Sequence, residues 1–101
     1  MAPLVKELER RPDIRSSVCV TGQHRQMLDQ VLQVFGLSPD YDLDIMREGQ
    51  SLTAVTTAVL RELEDVLSDL RPDLLLVHGD TTSCLAAALA AYYRKIGRAH
   101  V

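Results

Sequence analysis

The fold of this chain is decided by the stretch Asp73-Leu74-Leu75-Leu76-Val77-His78-Gly79-Asp80-Thr81-Thr82. Its continuous apolar run, residues 74–77, ends abruptly in a polar cluster, and an alanine-rich helical pattern follows. Such a run is typical of a buried strand in a parallel sheet. In open α/β sheets, ligands bind beyond the carboxyl ends of the strands. Asp80, which follows the predicted strand, is therefore the first candidate for a functional residue.

The composition narrows the class of protein. The 101 residues are 47% hydrophobic and 25% charged, with a net charge of -3, which fits one globular domain or part of one. No basic patch is present, so we do not expect a nucleic-acid partner. No apolar run is long enough to span a bilayer, and no signal-peptide pattern begins the chain. We therefore expect a cytoplasmic protein that does not bind membranes.

The two cysteines, Cys19 and Cys84, lie inside apolar segments and lack the spacing of a metal site. This placement favours reduced, buried thiols.

Hydrophobic periodicity predicts alternating helices and strands in the first half of the chain. A short helical stripe is closed by Pro12, and a strand is predicted over residues 16–21. A second helix follows, and Gly36 is well placed to cap its C-terminus. Residues 41–46 alternate apolar and acidic side chains, which is typical of either a short strand or an extended loop.

The clearest predicted element is the third helix. Its apolar stripe comprises Leu52, Val55, Val59, Leu60, Leu63, Val66, Leu67 and Leu70. Ser51 is a suitable N-cap, and Arg71-Pro72 stops the helix. The strand over residues 74–78 comes next, and then a final helix over about 83–95 that Thr81 or Thr82 can cap. Strands that alternate with helices predict an α/β fold with a parallel sheet.

Two features indicate an incomplete domain. The chain opens on a helix with no strand before it, and only two strands are clearly predicted. A two-stranded parallel sheet leaves its edges exposed and cannot cover four helices. We therefore expect part of a larger Rossmann-like α/β domain.

Two polar clusters, residues 21–26 and 78–82, follow the two predicted strands. Both fall at strand-to-helix turns on the same side of a parallel sheet, where helix N-termini favour an anion such as phosphate. Gly22 and Gly79 let the backbone come close to a ligand, although tight turns need glycine anyway. The sequence contains no dinucleotide-binding glycine motif, Walker loop, nucleophile elbow or metal-ligand pair. The residues alone predict a phosphate- or nucleotide-binding fragment.

Each candidate in these clusters has a structural alternative. Asp80 serves equally well as an N-cap or as a charge at the start of a helix. His78 ends an apolar strand, where a hydrogen-bonded core histidine is the more common case. His24 and Arg25 are also typical of a solvated helix start. The residue types therefore leave these roles open.

Four ordered motifs make the chain resemble a known family. They are Met1-Ala2-Pro3-Leu4-Val5, Val20-Thr21-Gly22-Gln23-His24-Arg25-Gln26-Met27-Leu28-Asp29-Gln30-Val31, Pro39-Asp40-Tyr41-Asp42-Leu43-Asp44-Ile45-Met46 and Val77-His78-Gly79-Asp80-Thr81-Thr82. In this order and at these separations they closely resemble the non-hydrolysing UDP-N-acetylglucosamine 2-epimerases, over roughly residues 1–95. The resemblance implies a glycosyltransferase-B-like fold of two Rossmann-like domains, of which this chain is an incomplete N-terminal domain.

The resemblance also implies an activity. Members of the family are isomerases that interconvert UDP-N-acetylglucosamine and UDP-N-acetylmannosamine for polysaccharide biosynthesis. The reaction eliminates UDP and adds it back with inversion at C2, and it needs no metal or nicotinamide cofactor. We accordingly expect UDP-N-acetylglucosamine as the ligand and a homodimeric parent enzyme.

The resemblance also implies roles for the residues of this chain that match the family's motifs. Asp80 matches the family's carboxylate after a His-Gly pair, which implies an acid/base or substrate-positioning role. The candidates for binding substrate or effector are Gln23, His24, Gln26, His78 and Gly79. The first three of these match a segment linked in bacterial members to a second, activating UDP-N-acetylglucosamine. Some regulated members place an arginine just before the glutamine that is here Gln50, whereas this chain has Gly49.

The two ends depart from the family pattern. The family's opening strand and its Gly-Thr-Arg-Pro-Glu turn are absent, and residues 96–101 read Ile96-Gly97-Arg98-Ala99-His100-Val101. Gly97 and Arg98 suit a buried strand poorly. A common sequencing-library adapter, ATC GGA AGA GCA CAC GTC, encodes the same hexapeptide. We therefore expect a partial domain over 1–95 and a non-native tail over 96–101.

Catalysis depends on groups that are held together in one geometry, so we expect the fragment itself to be inactive. Two alternatives to the epimerase interpretation stay open. One is a hydrolysing relative that releases UDP and free N-acetylmannosamine. The other is a non-catalytic α/β module that binds a nucleotide or a protein partner.

Overall fold

A computed structural model describes residues 2–22, 25–45, 47–78 and 81–100 of the chain. The chain divides into two compact units, Met1–Asp44 and Ile45–Val101. Within the described residues, each unit contains two helices and one two-stranded parallel sheet. The predicted α/β class and the parallel pairing are therefore confirmed.

The first unit alternates two helices with two short strands. Its elements are α1 (Ala2–Glu9), β1 (Cys19–Val20), α2 (Arg25–Phe35) and β2 (Tyr41–Asp42). β1 and β2 run parallel, with Cys19 opposite Tyr41 and Val20 opposite Asp42. The strand predicted over 16–21 is thus only two residues long. The sequence allowed either a strand or a loop over residues 41–46. In the structure the first two of these residues, Tyr41 and Asp42, form a strand.

Gly36 ends α2, as the sequence predicts. Its φ of +64° lies in the left-handed region, which glycine adopts without steric cost. The Gly36 N–H donates to the Gln33 carbonyl oxygen at 3.2 Å, and the Leu37 N–H donates to the Leu32 carbonyl oxygen at 2.8 Å. This pair of bonds is the Schellman arrangement, and the buried side chain of Leu37 completes it.

The second unit contains the larger core. Its elements are α3 (Leu52–Leu70), β3 (Leu74–Val77), α4 (Thr82–Tyr93) and β4 (Gly97–His100). α3 contributes the buried side chains Val59, Leu63, Val66 and Leu67. α4 contributes small ones, namely Ser83, Ala86, Ala90 and Ala91. Small side chains let α4 approach α3 and the sheet closely, because packing distance follows side-chain size.

Both predicted ends of α3 are confirmed. The Ser51 hydroxyl accepts a hydrogen bond from the Ala54 N–H at 3.0 Å, so Ser51 is the N-cap. Arg71 takes a left-handed conformation with φ 50° and donates its N–H to the Leu67 carbonyl oxygen at 2.9 Å. The predicted apolar stripe is longer than the buried one, since Leu52 at the start of α3 is 71% exposed.

The segment 97–100 forms β4 and pairs with β3 in parallel, from Leu74 opposite Gly97 to Val77 opposite His100. Gly97 and Arg98 are exposed, so this pairing does not bury the charge of Arg98. The Arg98 guanidinium lies 4.9 Å from the centroid of the Tyr92 ring, a cation–π distance. The adapter origin of residues 96–101 stays a prediction.

Candidate functional site

The turn between β3 and α4 carries the main candidate residues. Val77, the last residue of β3, is buried, and His78 directly after it is exposed. The interpretation of His78 as a buried core histidine is therefore wrong, because β3 ends at the buried Val77 and His78 lies beyond the strand. Gly79 and Asp80, the other candidates in this turn, lie outside the described residues.

Thr81 is the N-cap of α4. Its φ and ψ of -84° and 166° are extended, and its hydroxyl accepts a hydrogen bond from the Cys84 N–H at 3.3 Å. The Thr81 carbonyl oxygen accepts from the Leu85 N–H at 3.2 Å and so begins the helix. Of the two caps that the sequence offered, Thr81 or Thr82, the structure uses Thr81.

Cys84 contributes a contact that sequence reasoning missed. Its sulfur contacts the His78 carbonyl oxygen, so the first turn of α4 lies against the residue that follows β3. The sequence could have indicated this contact, because Cys84 lies three residues after the N-cap Thr81. A side chain at that position of the first helical turn faces the preceding loop. Cys84 is free, as expected, but half-buried and not buried.

The turn between β1 and α2 carries the second set of candidates. Val20 and Gly22 are buried, and the φ of Gly22 is +92°, which explains a glycine at this position. Gln23 and His24 lie outside the described residues. Gln26 lies in the first turn of α2, which begins at Arg25.

Cys19 in β1 has a perturbed thiol. Partial burial of the group, with a smaller contribution from the carboxylate of Asp42, raises its pKa from 9.0 to about 11. Both effects disfavour the thiolate. Cys19 is exposed as a residue and not disulfide-bonded, so it is free as expected but not buried. At neutral pH its thiol is protonated and therefore a poor nucleophile.

The described part of the chain also bears on two other kinds of site, a metal centre and a membrane span. No group of three or more His, Cys, Asp and Glu side chains there is arranged to hold a metal ion. No helix there is long and apolar enough to cross a membrane.

Comparison with known proteins identifies the family. The profile of the family described as UDP-N-acetylglucosamine 2-epimerase matches residues 6–101. The chain belongs to this family. A UDP-N-acetylglucosamine 2-epimerase of Campylobacter jejuni is 56% identical over 101 residues, and one of Salmonella typhimurium is 54% identical over the same length. These matches take in 100% of this chain but only 26% and 27% of the two relatives.

Solved structures of epimerases agree with the fold described above. The Neisseria meningitidis UDP-GlcNAc 2-epimerase bound to UDP-GlcNAc matches 100% of this chain and 28% of its own, with 53% identity and a TM-score of 0.92. The Methanocaldococcus jannaschii enzyme in complex with UDP-GlcNAc and UDP matches 99% of this chain and 28% of its own, with 34% identity and a TM-score of 0.88. The predicted fold class, part of the N-terminal Rossmann-like domain of a glycosyltransferase-B-like fold, is confirmed.

Proposed function

We propose that this chain is part of an enzyme that interconverts UDP-N-acetylglucosamine and UDP-N-acetylmannosamine. The observation that carries the proposal is the family match over residues 6–101. It is supported by the 53% identity to an epimerase whose structure holds UDP-GlcNAc. Because the chain spans about a quarter of its relatives, the activity is proposed for the complete enzyme.

The proposed reaction inverts the configuration at C2 of the sugar. A base removes the C2 proton while the bond between C1 and the UDP oxygen breaks, which leaves a C1–C2 double bond. UDP then adds back to C1, and a proton is delivered to the opposite face of C2. Each proton transfer needs a group held close to the carbon, and a carboxylate is suited to this work when the site tunes its pKa.

Asp80 is our candidate for such a group, either as acid/base or as a residue that positions the sugar. It follows β3, at the end of the strand where α/β folds bind ligands. Thr81 already fills the N-cap position of α4, so the helix does not require Asp80 as its cap. The proposed binding residues for substrate or effector are Gln23, His24, Gln26, His78 and Gly79.

The decisive experiment uses the complete enzyme in deuterated water. The full gene is recovered and expressed, and UDP-N-acetylglucosamine is followed by NMR at its anomeric and C2 protons. UDP-N-acetylmannosamine that carries deuterium at C2 supports the proposal. UDP with free N-acetylmannosamine would assign the hydrolysing reaction instead. No turnover at all would overturn both and favour a binding module. The 101-residue chain, assayed alongside, is expected to be inactive.

The role of Asp80 is tested by Asp80→Asn in the complete enzyme. General acid–base catalysis contributes about 10²- to 10⁴-fold, so kcat should fall within that range while the melting temperature holds. Asp73→Asn is the matched control, because Asp73 is exposed and precedes the same strand at its other end. Near-normal turnover in Asp80→Asn would return Asp80 to a role at the helix start.

Three further proposals concern the complete protein. We propose a cytoplasmic homodimer. The mass measured by light scattering after size-exclusion chromatography would check the dimer.

We propose that UDP-N-acetylglucosamine is also an effector. A plot of rate against substrate concentration that is hyperbolic and not sigmoidal would count against this proposal. We propose that residues 1–95 are the native partial domain and 96–101 the tail. Source DNA with other codons, or with a frame that continues into Glu-Ala-Gly, would overturn the last proposal.

A further inference from the structure

We infer that one apolar side of α2 is the surface through which two copies of this chain associate. This surface, the α2 face, consists of Met27, Val31, Val34 and Phe35, all of them exposed. Met27 and Val34 are the most exposed of the four, at 66% and 79%. The inference rests on the homodimer proposed above for the complete enzyme, and it names the surface that would form the dimer.

The α2 face is continuous along the helix. Each of the other three residues lies three or four positions from Val31, so the four side chains cover one side of α2. Leu28 and Leu32, on the adjacent side, are half-buried. The apolar surface of α2 is therefore wider than the part that this chain covers. A contiguous exposed patch of this kind commonly marks a protein–protein contact.

The charge around the α2 face favours a second copy of the same helix. Between Met27 and Phe35 the only charged residue is Asp29, two positions from Met27 and so on the opposite side of the helix. Gln30, which is exposed, borders the face. A glutamine amide both donates and accepts hydrogen bonds, so two copies can meet at this border without repulsion between like charges.

The α2 face is also self-complementary in its arrangement. Val31 is its middle residue, four positions from Met27 and four from Phe35. Two copies of α2 that pack antiparallel about a two-fold axis would bring Val31 against Val31. Met27 of each copy would then meet Val34 and Phe35 of the other. A two-fold contact of this kind closes with two copies, because the same patch is used on both.

The first test measures the mass of the complete enzyme by light scattering after size-exclusion chromatography. Val34→Asp places a charge in the α2 face, and a charge without a partner is costly to bury between two copies. We expect the mass to fall to about half that of the wild type, with an unchanged far-UV circular dichroism spectrum. Gln33→Asp is the matched control, because Gln33 is exposed on the other side of the same helix, and it should stay dimeric.

A second test does not depend on the folding of Val34→Asp. A disulfide needs two Cα atoms within about 7 Å of each other, and the proposed axis brings residue 31 of both copies together. Mild oxidation of Val31→Cys in the complete enzyme should therefore give a covalent dimer on a non-reducing gel. Gln33→Cys and the wild type, treated alike, should not cross-link.

The outcomes separate the surface from the dimer. A wild-type enzyme with the mass of one chain would overturn the proposed homodimer and this inference with it. A dimeric wild type that Val34→Asp leaves intact and Val31→Cys fails to cross-link would overturn the α2 face alone. If Val34→Asp aggregates and Val31→Cys does not cross-link, the rest of the parent chain covers the face, and the inference is again overturned.

Discussion

Truncating Leu63 to alanine should remove a large part of the stability of the second unit. Leu63 is 4% exposed and lies in α3, among the buried side chains that this helix contributes to the core. The change deletes three carbon atoms, each worth about 0.8 kcal/mol of transfer free energy. The cavity adds to this, so the free energy of unfolding should fall by about 3 kcal/mol. Helix propensity contributes little, because leucine and alanine are both good helix formers.

Leu52→Ala is the matched control in the same helix, because Leu52 is 71% exposed. We expect it to change the free energy of unfolding by less than about 0.5 kcal/mol. Urea unfolding followed by far-UV circular dichroism measures both variants. With a slope of about 1.5 kcal/mol per molar urea, the midpoint of Leu63→Ala should fall by about 2 M. Equal shifts in the two variants, or a shift below about 0.5 M for Leu63→Ala, would refute the assignment of Leu63 to the core.

Four further predictions concern single residues. Ser51→Ala removes the acceptor for the Ala54 N–H and should cost about 1 kcal/mol of unfolding free energy, measured by urea titration, whereas Ser51→Asp should cost little. Gly36→Ala places a Cβ on a residue at φ +64° and should also cost about 1 kcal/mol, and an unchanged urea midpoint would contradict the assigned cap. Because the Cys19 pKa is raised from 9.0 to about 11 in the folded chain, alkylation of Cys19 by iodoacetamide at pH 8 should be about a hundredfold slower in the folded chain than in urea. The same rise in the pKa of Cys19 makes the free energy of unfolding depend on pH. The contribution of Cys19 to that free energy is fully present below pH 9 and is lost as the pH rises towards 11.

Local chemistry predicted the helices and their ends well. Ser51 and Gly36 are the clearest cases, since each supplies a hydrogen bond or a backbone conformation that only the helix end requires. The same holds for Thr81, where the sequence offered two adjacent threonines and the structure uses the first. Capping depends on a few neighbouring atoms, so a sequence read without tertiary contacts can identify it.

Strand length and burial were predicted less well. Strand pairing depends on a partner elsewhere in the chain, so residues 16–18 and Thr21, although predicted as strand, did not join the two-residue β1. His78 and Cys19 were expected inside, yet both are exposed. Cys19 alternates with the buried Val20 in β1, whereas His78 lies beyond the end of β3. The contact of Cys84 with the His78 carbonyl oxygen spans six residues and depends on the path of the turn, which composition does not reveal.

The small side chains of α4 also constrain how this sequence can vary over evolution. Ala86, Ala90 and Ala91 are 1%, 5% and 0% exposed, so each has no room for a larger side chain unless the packing shifts. Leu85 on the same helix is 70% exposed and lacks that constraint in this chain. A saturation library across α4 should therefore accept many residue types at Leu85 and few at the buried alanines. Alanine is usually regarded as easy to replace, yet here it would occupy the positions of α4 that tolerate substitution least.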